Sequence, residues 1–291
     1  MQSDQNLKKI LIIGMARTGT SFLAKILQST LPGKPNLYVE PKSDSFFNDL
    51  SQWKSGSHIV KIIFEHWNNQ SNARESWLAH PESLGVDHIF CLIRDPRDMA
   101  LSRLLYFAFA RKLYVGISKD QEREWVKILQ QKEQNPASLS FLDLARKLGI
   151  IMGIDYYKDV VDRKYGFSAY SDFLKQNSEH FSLVRYEELV SGNFDALEQV
   201  LNCPVRIPMS MEELEYTKRS GGSNGWKQFF TLSDLAWFKE RFGSEMEWWG
   251  YCDWELMPSN SLSSVHISNY VKLRFSEAEG DHPSQIENKH F

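Results

Sequence analysis

The chain has 291 residues, 42% of them apolar and 13% aromatic, enough to bury one full core, and its formal net charge of −3 comes from interspersed charges of both signs. That balance excludes a broad basic surface for a nucleic-acid backbone, so any anion site must be local. The three cysteines, Cys91, Cys203 and Cys252, lie far apart with no Cys-x-x-Cys spacing, which excludes a disulfide scaffold or structural zinc and suits a reducing compartment.

In chain order, KKILII (8 to 13) faintly imitates a signal peptide, but its apolar run is short and leads into a glycine-punctuated turn, so it reads as a buried strand. A helix is expected from about Thr20 to Ser29, a strand at HIVKIIF (58 to 64), a helix near 71 to 80 and a strand at DHIFCLI (87 to 93). This alternation predicts an α/β fold with a central, mostly parallel sheet flanked by helices. From about 97 to 175 apolar residues recur at helical spacing, a large helical insert on that platform. A late strand, FSLVRY (181 to 186), and a helix from about Asn193 to Leu201 follow, and MEELEYTKRS (211 to 220) carries a capping-box pattern of Ser210 with Glu213. The expected organisation is one domain over 1 to 258 and a loosely ordered tail over 259 to 291 around one strand, YVKLRF (270 to 275). No run reaches the roughly 20 apolar residues of a membrane span, so the expected setting is cytoplasmic.

The stretch GMARTGTS (14 to 21) sits between the first strand and the first helix. Such a turn aims backbone N–H groups and a helix N-terminus at one point, which favours a bound anion. It has the outline of a nucleotide-triphosphate loop, but Thr20 occupies the place of the lysine that reaches the β and γ phosphates, and the cation, Arg17, lies inside the loop. A tight strand-to-helix turn is the plain alternative. In LIRDPRDMALSRLL (92 to 105), Arg94 follows a predicted central strand, Pro96 breaks it, and Ser102 lies eight residues beyond Arg94. Ligands of parallel α/β sheets collect outside the strands' carboxyl ends. A guanidinium with a hydroxyl suits a phosphate monoester, and a self-paired surface turn is the alternative. Two anion sites on one sheet edge point to a ligand with phosphates at both ends.

These segments resemble the sulfotransferases that use 3′-phosphoadenosine 5′-phosphosulfate (PAPS), closest in style to bacterial and tyrosylprotein-type members. ARTGTSF (16 to 22) resembles the family's 5′-phosphosulfate loop and RDPRDMALS (94 to 102) its 3′-phosphate motif. VRYEELV (184 to 190) resembles the YEDL segment, and RSGGSNGWKQFFT (219 to 231) the late RKGxxGDWKxxFT motif. The resemblance implies a P-loop-like topology and a donor, PAPS, with no metal. Carried over by position, it implies Arg17, Thr18, Gly19, Thr20 and Ser21 around the 5′-phosphate, and Arg94 and Ser102 on the 3′-phosphate. Arg219, Ser220 and Gly221 would close over that phosphate, with Ser220 replacing the usual lysine, and Phe22 and Tyr186 would lie by the adenine.

The implied reaction is in-line transfer of the sulfuryl group to a hydroxyl, with Arg17 serving the departing oxygen, so catalysis rests on positioning and charge stabilisation. For the base, the histidine that cytosolic members carry two residues after a strand lysine is absent, since Lys61 is followed by Ile62 and Ile63. The glutamate of bacterial and tyrosylprotein types is matched by Glu40 in LYVEP, with Glu65 and His66 as the other candidates. The expected acceptor is a small molecule or carbohydrate, met through the aromatic-rich insert, with no nucleic-acid partner. The acceptor's identity and the oligomeric state are not readable. A P-loop small-molecule kinase and a non-catalytic nucleotide-binding relative are the rival readings.

Overall fold

The computed structural model describes residues 8–41, 56–67, 85–156, 166–207 and 223–280. In chain order its elements are β1 (Lys9–Gly14), α1 (Thr20–Thr30), β2 (Asn36–Val39), β3 (His58–Ile63), α2 (Phe64–Trp67), β4 (His88–Ile93), α3 (Pro96–Tyr114), α4 (Lys119–Gln134), α5 (Phe141–Met152) and α6 (Phe167–Gln176). There follow β5 (Ser182–Arg185), α7 (Tyr186–Ser191), α8 (Asp195–Leu201), α9 (Trp226–Phe229), α10 (Leu232–Trp248), a 3-10 turn (Ser264–His266) and α11 (Ser268–Gly280). The helices expected near 71 to 80 and over 211 to 220 fall outside the described residues. The chain divides into two compact units, one of Met1–Arg94, Ala169–Thr217 and Lys289–Phe291, the other of Asp95–Ser168 and Lys218–Asn288.

The first unit is an α/β layer built on a five-stranded sheet in the order β2-β3-β1-β4-β5, every pair parallel. KILIIG and HIVKII are buried nearly throughout, as strands covered on both faces must be. On one face Ile10, Ile12, Ile59 and Phe90 meet Leu23 and Leu27 of α1 in a single apolar cluster. Burying side chains of this size stabilises by about 1.5–3 kcal/mol each. From β1 the chain passes to β2 and β3 on one side of the sheet, and β4 and β5 fill the other. The gap between β1 and β4 is therefore the topological switch point, where ligands of such sheets bind.

In the second unit, α3 to α5 occupy the span expected as a helical insert as far as Met152; α6, which lies mostly in the first unit, occupies its end, with 157–165 outside the described residues. Asp234 organises part of the second unit's core: the carboxylate closes the capping box of Thr231 at the start of α10 and also accepts from the N–H groups of Phe141 and Leu142, which open α5. Of the aromatics in that span, Trp125, Phe141 and Tyr156 are fully buried in the core and Tyr114 is exposed. Tyr157 lies outside the described residues.

Residues 270 to 275, expected as a strand in a loose tail, are helical. The helix α11 buries Tyr270, Val271, Arg274 and Phe275 and exposes Lys272 and Leu273, a period of 3.6 rather than 2. No helix among the described residues is long and apolar enough to cross a membrane.

Candidate functional site

The loop after β1 folds back on its own start. A Cβ at Gly14 would lie 2.6 Å from Thr18 Oγ1 and 2.6 Å from Thr20 Cγ2, so only glycine fits. Thr18 is fully buried and closes the turn, its hydroxyl donating to the Met15 carbonyl at 2.7 Å. Arg17 and Glu40 both have left-handed backbone, at φ 73° and 51°, which costs a side-chain-bearing residue roughly 1–2 kcal/mol. Gly19 is the N-cap of α1 and supplies no side-chain acceptor, and the first turn of the helix holds no acidic residue. The leading N–H groups of α1 are thus left to something other than a cap.

Residues from β3, β4 and β5 meet this loop. Just past β3, both oxygens of Glu65 accept from the Ala16 N–H, at 2.9 and 3.2 Å. Just past β4, Arg94 donates from Nη1 to the Arg17 carbonyl at 3.0 Å. Just past β5, the Tyr186 ring packs on Gly19 so closely that a Cβ there would come within 2.5 Å of Cδ2. The Arg94 guanidinium lies 4.1 Å from the centre of the Tyr186 ring, a cation–π stack. Arg94 is 6% exposed, and its Nε is buried with no hydrogen-bond partner among the described residues. A buried N–H without a partner costs about 1–3 kcal/mol, a cost that an anionic ligand would remove.

A second group adjoins the first turn of α1. The Glu40 N–H continues the β2–β3 ladder by donating to the Lys61 carbonyl at 2.8 Å. The Glu40 carboxylate pairs with Lys61 Nζ at 2.7 Å and with His66 Nδ1 at 3.1 Å, and the same Nζ donates to Ser21 Oγ at 3.3 Å. Burial alone would raise the Glu40 carboxyl, but the His66 hydrogen bond and the Lys61 charge and hydrogen bond outweigh it, bringing it from 4.5 to about 2. The same hydrogen bond raises the His66 imidazole above its ordinary value, against the opposing effect of burial. Lys61 is itself buried, on a strand otherwise apolar from Ile59 to Ile63.

The expected residues Arg17, Thr18, Gly19, Thr20, Ser21, Glu40, Glu65, His66, Arg94 and Tyr186 all belong to the first unit. Phe22 is partly buried and packs against the apolar cluster of the sheet. Ser102 is buried on α3, in the second unit. Arg219, Ser220 and Gly221 lie outside the described residues. Lys61 was not among the candidates; its signal was a lone lysine within a buried strand, a cation that burial obliges to find a partner.

Within the second unit the rest of the RDPRD segment is neither exposed nor idle. Asp95 caps α3 and pairs with Arg97 at 2.7 Å, both residues buried. The Arg97 guanidinium stacks on Trp226 at 3.6 Å and Trp254 at 4.8 Å and donates to the Asp253 carbonyl. Asp98 accepts from the N–H groups of Asn224 at 2.6 Å and Trp226 at 3.0 Å, tying the helix start to the middle of the late motif. Among the described residues no group of three or more His, Cys, Asp or Glu is placed to hold a metal ion.

No protein-family model matches the chain, and no curated protein matches it. Among solved structures, the chain is similar to mouse sulfotransferase SULT7A1 complexed with PAP, at 15% identity over 82% of this chain and 84% of that one, with a TM-score of 0.44. A likeness of that degree says nothing of activity.

Proposed function

We propose that the chain transfers the sulfuryl group of PAPS to a hydroxyl of a small-molecule or carbohydrate acceptor, releasing adenosine 3′,5′-bisphosphate. The observation that carries the reading is Arg94: a buried guanidinium whose Nε has no partner among the described residues, bonded to the loop backbone and stacked on Tyr186. It stands at the β1/β4 switch point beside a helix N-terminus that has no side-chain cap. A ligand with one phosphate for the helix start and one for Arg94 fits that pairing of donors.

In this reading the N–H groups and hydroxyls of Thr18 to Ser21 hold the 5′-phosphate, and Arg94 holds the 3′-phosphate with Tyr186 beside the base. Ser102, Arg219, Ser220 and Gly221 enter through the motif alone. PAPS supplies an activated sulfuryl group whose bond to the 5′-phosphate breaks as the bond to the acceptor oxygen forms. Arg17 offsets the negative charge gained by the departing oxygen. The acceptor's proton goes to the Glu40–His66 pair. A carboxyl at about 2 is a poor proton sink by itself, and the imidazole it orients is the more basic member. Lys61 holds Glu40 and, through Ser21, brings a fixed positive charge to the loop. Glu65, committed to the Ala16 N–H, shapes the loop.

The test is calorimetric titration with the bisphosphate product, PAPS and ATP, together with transfer of labelled sulfate from PAPS to a panel of sugars and small alcohols. The wild type is expected to bind both sulfate-pathway nucleotides well above ATP, and Arg94→Ala to lose roughly tenfold or more in product affinity, the scale of a charged hydrogen-bonding group. Preference for ATP would indicate a kinase, and binding without transfer to any acceptor would indicate a non-catalytic relative.

A further inference from the structure

Tyr170, on α6, is fully buried, and its hydroxyl lies 3.0 Å from the Leu92 carbonyl of β4 and 3.2 Å from the Ile13 carbonyl of β1. A phenol has one proton, so the two carbonyls share it. The register pairs Ile13 with Cys91 and Gly14 with Leu92, so these are the last rungs of the β1–β4 ladder before the strands part at the switch point. One step beyond Ile13 the phosphate loop begins, and two steps beyond Leu92 stands Arg94. The hydroxyl is anchored in turn. The Tyr170 ring packs on Phe64 at 4.9 Å and Phe173 at 6.2 Å. Phe64 opens the turn that carries Glu65, so the same ring supports the carboxylate holding the Ala16 N–H. Burial keeps the phenol protonated well above its ordinary range, so it acts as a constant donor and takes no part in proton transfer.

We infer that Tyr170 is a positioning residue whose hydroxyl fixes the gap between the ends of β1 and β4, and with it the spacing between the loop's phosphate donors and the Arg94 guanidinium. The inference rests on the proposed reading, in which one ligand is gripped at both places. A ligand that touches both ends feels the gap, and a ligand that touches only the loop does not. Tyr170 therefore contributes to selection of a bisphosphate over a monophosphate.

The test is the ratio of affinities for adenosine 3′,5′-bisphosphate and adenosine 5′-monophosphate, measured by calorimetry on the full chain. Tyr170→Phe keeps the ring and removes the proton; it is expected to lower the ratio about fivefold, the scale of one hydrogen bond, with monophosphate affinity nearly unchanged. Installing 4-aminophenylalanine at position 170 returns a donor and is expected to return the ratio. Phe173→Leu withdraws packing but keeps the hydroxyl; a loss of thermal stability with the ratio within about twofold of wild type supports the assignment. If Tyr170→Phe does not fold, 4-fluorophenylalanine at that position makes the same comparison. An unchanged ratio in the variant lacking the proton, a parallel fall of both affinities, or an equal fall in Phe173→Leu overturns the spacing role alone. A wild type without preference for the bisphosphate overturns the functional reading, and the inference with it.

Discussion

Replacing Glu40 with glutamine keeps the shape of the side chain and an oxygen that accepts from Lys61, and removes one charge. The carboxyl stands at about 2 against an ordinary 4.5. At about 1.4 kcal/mol per pH unit that difference corresponds to about 3 kcal/mol as an upper bound. A quarter of the Glu40 side chain is open to solvent, and screening reduces the figure to about 1–2 kcal/mol. Because the folded value is depressed, this stabilisation is complete above pH 4.5 and is lost as pH falls toward 2. Urea unfolding of the wild type and Glu40→Gln should therefore differ by about 1–2 kcal/mol at pH 7 and converge between pH 4.5 and about 2. His66 supplies an independent reading with the opposite sign. Its raised value means that its share is complete below 6.5 and fades as pH rises through the folded value, and removing the Glu40 charge should return the NMR titration of His66 toward 6.5. A stability gap that stays constant down to pH 2.5, or an unmoved His66 titration, refutes the argument that these groups are electrostatically joined.

Two further outcomes follow from packing. Gly19→Ala places a Cβ 2.5 Å from Tyr186 at φ +96°, whereas Gly33→Ala meets open space at φ +79°. Both carry backbone strain of roughly 1–3 kcal/mol, and only Gly19→Ala should also weaken nucleotide binding, by roughly tenfold; equal binding in the two variants removes Tyr186 from the site. Arg97→Leu leaves the buried Asp95 carboxylate without its bidentate partner and should cost about 3–5 kcal/mol in thermal or urea unfolding, part of it recovered by adding Asp95→Asn. A loss below about 1 kcal/mol would mean that neither the buried ion pair nor the guanidinium stack on the two tryptophans holds this helix start.

Most of the sheet was legible because parallel strands buried on both faces appear as continuous apolar runs, and β1, β3 and β4 begin and end within a residue of such runs, while β5, an edge strand with only Val184 buried, lies within FSLVRY. The strand β2 was not, since NLYV is four residues long, half-exposed at the sheet edge and without alternation. The misreading of YVKLRF arose because Val271, Leu273 and Phe275 alternate as a strand would, while the fold buries neighbours Tyr270 and Val271 and, a turn later, Arg274 and Phe275. At the candidate site, the loop, Arg94 and Tyr186 could be proposed from sequence because their spacing is local to motifs. Glu65 on the Ala16 N–H and Tyr170 on the Ile13 carbonyl join residues 49 and 157 positions apart, and no local pattern announces contacts of that range.

The left-handed backbone at Arg17 also bears on how this chain would drift under selection. Glycine or asparagine tolerates that conformation better, so exchange there would relieve up to about 1 kcal/mol while deleting the loop's own cation. Under the proposed function, a library sorted only for heat resistance would thus have an inexpensive way to become sturdier and inert at one position. Persistence of arginine at 17 across a lineage would register selection for something other than folding, which in the proposed function is turnover.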